Sequence, residues 1–118
     1  MTSPISFPLD AQVLHVNDAT VPFVTFIENG MTYIGFDTSA CLPPEPMINA
    51  MLALELLQDS DTKVVMINHR SPLGLLAKVE SFYDIDVTEL GNGKLQLLFS
   101  YREGRSEHVD LSQKHCAG

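Results

Sequence analysis

Two short stretches carry residues whose types and spacing could do chemistry. Cys41 stands just before Leu42-Pro43-Pro44-Glu45-Pro46-Met47, and an apolar segment runs on to Leu57. A thiol near a helix start can be held as thiolate, the nucleophilic and metal-ligating form, because that end of the helix is positive. The plainer and favoured reading of Cys41 is a small half-buried residue in a strand-end loop. Glu45 either places a carboxylate at the positive end of the dipole or holds the corner open for a partner. The second stretch is His69-Arg70, which follows the apolar run Val64-Val65-Met66-Ile67. His69 could meet an anion, a metal or haem, with Arg70 clamping a carboxylate or phosphate. The plainer alternative is a pair of loop residues closing a strand end. His15, His108 and His115 lack ligand spacing, so no metal site is expected. Cys116 is either a resolving thiol or an inert tail residue.

Other chemistries find no support. No second acidic residue is spaced as an acid–base partner. There is no Gly-rich phosphate loop, Ser/His/Asp arrangement or nucleophile elbow. Met31, Met47, Met51 and Met66 read as core filler. No cofactor is expected.

These stretches must be positioned by strands and helices. Val21 to Ile27 and Met31 to Asp37 read as a hairpin about Asn29-Gly30, a dipeptide suited to a type I′ turn. That turn pairs Phe26 with Tyr33, and Phe23 with Phe36 on the opposite face. The prolines of 43–46 suit the last loop residues and first turn of a helix from Met47 to Leu57, where a missing N–H costs nothing. Only Asn49 and Glu55 are clearly polar on it, while Leu56 and Ala53 fall opposite the main apolar face. Such a helix is buried on more than one side, under the N-terminal arm or the tail, or else it self-associates.

Val64 to Ile67 has the pattern of a central strand, and Asn68-His69-Arg70 lies at its carboxyl end, where ligands tend to bind in α/β sheets. Ser71-Pro72 reads as N-cap and first helical residue. Leu75, Leu76, Val79, Phe82 and Tyr83 make one apolar stripe. Ile85 to Thr88 and Lys94 to Arg102 then form a second hairpin around Gly91-Asn92-Gly93, with one buried face. The expected fold is α+β, a two-layer α/β sandwich ordered β-β-α-β-α-β-β with both helices on one face of a mixed sheet. Residues 1–20 form an irregular arm with at most one short strand, 21–103 the sandwich, and 104–118 a polar, partly disordered tail.

The chain has 118 residues and a formal charge of −8, with seven basic residues against fifteen acidic. One domain with a useful core fits that length. So acidic a balance argues against nucleic acid, which is bound through Lys and Arg on phosphates. It suits a basic protein partner or a solvated surface. No apolar run approaches the roughly 20 residues needed to span a bilayer, and Met1 to Phe7 lacks the basic residues of a signal peptide. The expected setting is the cytoplasm, with both cysteines as free thiols.

From about Tyr33 to Arg102 the chain resembles the TusA/SirA-like family of small sulfur-relay proteins. Members place a strand, a Cys-Pro-x-Pro corner and a helix, then continue β-α-β-β. Pro43-Pro44-Glu45-Pro46 lies on that corner, so Pro43 occupies the position of the relay cysteine. Asn68-His69-Arg70-Ser71-Pro72-Leu73 is similar to the second corner of cysteine-less relatives. The resemblance implies a binding or regulatory domain that presents Pro43, Glu45, Pro46, His69 and Arg70 on one rim. It leaves open a persulfide carrier that uses Cys41, and an assembly protein that forms homodimers.

Overall fold

A computed structural model gives the fold, and residues 4–102 are described. The tail 104–118, with His108, His115 and Cys116, lies outside the described residues. The elements are β1 (Gln12–Leu14), β2 (Phe23–Glu28), β3 (Met31–Asp37), α1 (Glu45–Leu54), β4 (Thr62–Asn68), α2 (Leu73–Val79), β5 (Tyr83–Glu89) and β6 (Leu95–Tyr101). All six strands join one mixed sheet in the order β1-β2-β3-β4-β6-β5. β3 and β4 are parallel, and the other neighbours are antiparallel. Among the described residues the architecture is α+β, six strands and two helices.

Asn29 and Gly30 both take positive φ, 55° and 77°, as the tight hairpin turn requires. Phe26 therefore faces Tyr33, with ring centroids 5.2 Å apart, and Phe23 faces Phe36 at 4.8 Å. β4 is central, and Val64, Val65 and Met66 are fully buried between the two faces of the sheet. One face carries the larger core. Cross-strand register puts Phe23, Phe36, Met66 and Leu97 in one row and Ile34, Val64 and Phe99 in the next. Ala50, Ala53 and Leu54 of α1 and Leu75 and Val79 of α2 join this same cluster, so both helices cover the same face.

The opposite face has its own small cluster, Val65, Ile67 and Leu98, covered by Ile5 and Phe7 from the arm. Gly35 makes room for the Phe7 ring, since a Cβ there would stand 2.6 Å from Cε1 of Phe7. Ile5 N–H donates to Oε1 of Gln96, which is fully buried. The second hairpin thus has two buried faces along β6 rather than one, because the arm shields what the alternating pattern leaves to solvent.

Several boundaries move. α1 begins at Glu45, two residues earlier than the sequence suggests, and ends at Leu54; Leu56 and Leu57 then close i→i+3 bonds to Ala53 and Leu54. This tightened turn still buries Leu57. Ala53, opposite the main apolar face, is fully buried, and so is the polar Asn49. Asn49 donates to Oγ1 of Thr20 (2.8 Å) and accepts from Thr20 N–H (2.9 Å), so the arm lies against this side of α1. α2 starts at Leu73, because Pro72 with ψ 81° is not helical and serves as the cap in place of Ser71. It ends at Val79, and Tyr83 opens β5 opposite Tyr101, so Phe82 and Tyr83 do not extend the helical stripe. The arm supplies β1, whose Leu14 pairs with Phe23.

Candidate functional site

β3 and β4 run in parallel, and Asp37 is paired with Ile67 where they end. The corners leaving these two strands therefore start side by side, and they enclose a cleft of about 420 Å³. Pro43, Pro44, Pro46 and Met47 form one wall. Asn68, His69, Arg70, Ser71, Pro72 and Gly74 form the other. Pro43, Pro46, His69 and Arg70, far apart in sequence, thus meet around one space. The Pro43–Pro44 peptide is cis.

The second wall is anchored from below. Asn68 is almost fully buried, and its Nδ2 donates to the Arg70 carbonyl at 2.8 Å. The buried Thr38 hydroxyl lies 3.0 Å from Asn68 Oδ1 and 3.1 Å from Ile67 O, and shares its one proton between them. Thr38 N–H also donates to Ile67 O at 2.8 Å, which carries the β3–β4 pairing one step into the corner. Thr38 and Asn68 were not singled out in the sequence. Their only signal is a polar residue at the end of each parallel strand.

His69 is half-buried, and its Nδ1 is sealed from solvent without a hydrogen-bond partner. A sealed N–H without an acceptor is costlier than an idle lone pair, so the neutral ring carries its proton on Nε2. Metal or haem ligation through Nε2 would push that proton onto Nδ1, where no acceptor supports it. The geometry therefore makes His69 a hydrogen-bond donor and weighs against a ligating role. Among the described residues no three His, Cys, Asp or Glu gather as a metal site.

The start of α1 is a poor anion cradle. Glu45 N–H donates to Leu42 O and Ile48 N–H to Pro44 O, both at 3.0 Å, and Pro46 has no N–H. A row of free amides, the usual seat for phosphate, is missing here. Glu45 does not line the cleft. Its Oε1 accepts from the Thr20 hydroxyl at 2.9 Å, which makes it a link between the arm and the helix start.

Cys41 sits on the Glu45 side and outside the cleft lining. Burial pushes its thiol above the ordinary range, helped by the charge of Glu45, a hydrogen bond to that carboxylate and the charge of Asp37. A relay thiol needs the opposite bias. In a Cys116→Ser background, iodoacetamide should alkylate Cys41 at pH 8 several-fold more slowly than the unfolded chain, and Glu45→Gln should speed the reaction. The linked effect on stability has a definite sign. Below about pH 8.5, the ordinary thiol range, both states keep the proton and stability is flat. Above it the unfolded chain releases the proton first, so stability falls as pH rises through the folded pKa.

Among the described residues no helix is long and apolar enough to cross a membrane. No family model, curated protein or solved structure matches the chain.

Proposed function

We propose that the chain is a small binding module of TusA/SirA-like build, acting in the cytoplasm, whose site is the cleft between the two strand-to-helix corners. One observation carries this reading: prolines from one corner and His69-Arg70 from the other face each other outside the carboxyl ends of adjacent parallel strands. Such ends are where sheets of this kind hold ligands, and the cleft volume lies within the range of small-molecule pockets. The succession β3-α1-β4-α2-β5-β6 supports the family reading, with Pro43 on the cleft wall in the place of the relay cysteine. The raised Cys41 pKa favours binding over sulfur relay.

The test uses a neutral apolar probe. Titrating the 15N-labelled chain with 4-phenylbutyramide should shift the amides of Glu45 and Met47 and those of residues 68–71, 73 and 74. At about 0.3 kcal/mol for each of about 12 heavy atoms, the expected affinity is about 4 kcal/mol, a millimolar Kd. Gly74→Phe should plug the cleft and abolish the shifts without unfolding the chain. A Cβ at Gly74 meets only the flexible end of Met47 at 3.2 Å, and a helical glycine is readily replaced. Shifts scattered over the surface, or insensitive to Gly74→Phe, would defeat the reading.

A second reading, self-association, rests on Ile48 and Leu52 of α1 and on Leu56 in the turn that follows it, spaced four residues apart. Ile48 and Leu56 are each 41% exposed. Light scattering that finds only monomer at high concentration would end it.

A further inference from the structure

Resting on the reading of the cleft as the binding site, we infer that its ligand carries a carboxylate on a small apolar body, with the carboxylate held by Arg70 and the His69 imidazole N–H. The apolar part follows from Pro43, Pro44, Pro46, Pro72 and Met47, which make up half of the lining. The sign of the polar part follows from which groups are already engaged. Three carbonyls around the cleft are in use: Pro44 O accepts from Ile48 N–H, Arg70 O from Asn68, and Pro72 O from Leu76 N–H. The donors remain available. Nδ1 of His69 is sealed, which leaves the proton on Nε2. Arg70 is exposed and enters no ion pair with a described residue.

Charge points the same way. The chain carries fifteen acidic residues, yet among the described residues none lines the cleft, and Arg70 brings a permanent positive charge to it. Glu45, the acid nearest in sequence, is turned to Thr20 and Cys41. An ammonium ligand would meet no counter-charge among the described residues of the lining. A phosphate would find one arginine, and the start of α1 offers it no row of amides. A carboxylate matches the planar fork of a single guanidinium and gains a second donor from the imidazole.

The experiment compares 4-phenylbutyrate, 4-phenylbutyramide and 4-phenylbutylamine on the same labelled chain. At low salt the acid should bind at least about tenfold more tightly than the amide, and the amine more weakly than either. Arg70→Gln should bring the acid to within about twofold of the amide, and about 0.5 M NaCl should narrow the gap in the wild type. If the amide shifts the cleft but the acid gains nothing, or if its gain survives Arg70→Gln, the inference is overturned and the cleft still stands as a binding site. If none of the three shifts those same amides, both fail.

Discussion

Phe36→Ala is expected to lower the unfolding free energy by about 3–5 kcal/mol, the range for emptying an aromatic from a packed core. Phe36 is 1% exposed and stacks on Phe23 with the rings 9° from parallel. It also faces Met66 in the parallel partner strand, so its loss opens a hole beneath both helices. A domain of this size holds only about 5–15 kcal/mol in total, which places the variant near the edge of folding. Urea unfolding at fixed temperature measures the difference. Ile27→Ala, on a side chain 74% exposed in the preceding strand, is the control and should stay within about 0.5 kcal/mol. A Phe36→Ala loss below about 1 kcal/mol would mean that the face can collapse around the gap.

Asn68→Ala should act on stability and on the cleft together. The substitution strips the Arg70 carbonyl of its donor and leaves the Thr38 hydroxyl with Ile67 O alone. With the site almost fully buried, the expected cost is about 2–3 kcal/mol. That loss should leave the fold intact but free the second wall. Binding of 4-phenylbutyramide should fall at least about fivefold, since the cleft must then be ordered at the ligand's expense. Hydrogen exchange should rise at residues 69–72 and not in β4. Unchanged exchange in that loop would show that the prolines and strand pairing hold the wall without Asn68.

These two residues differ in how well the sequence announces them. Phe36 belongs to an alternating strand beside an Asn-Gly turn, and the turn alone sets its partner, Phe23. The hairpin register is legible because it is decided within a few residues of the turn. The proline corner is legible for a similar reason: a fixed φ and an absent N–H restrict the backbone wherever they occur. Asn68 reads only as one polar residue of a loop, since its worth depends on Thr38, thirty positions away. Asn49 is misleading by itself, for a polar residue on a helix ordinarily faces water. Here Thr20 satisfies it, which permits its burial. The pattern of β6 likewise hides the arm, because Ile5 reaches Gln96 across a separation of 91 residues.

By itself, then, the sequence determined the turn about Asn29-Gly30, a helix launched from the proline corner at 43–46, and the apolar central strand. All of these follow from short-range sterics and periodicity, which each segment carries wherever it lies. Only the tertiary structure decided that the two corners share one cleft, that Glu45 and Cys41 lie outside its lining, and that no acid among the described residues lines it in so acidic a chain. Those outcomes depend on β3 and β4 lying side by side in parallel. That pairing joins segments about thirty residues apart through a buried interface, and no local stretch of the chain records its register.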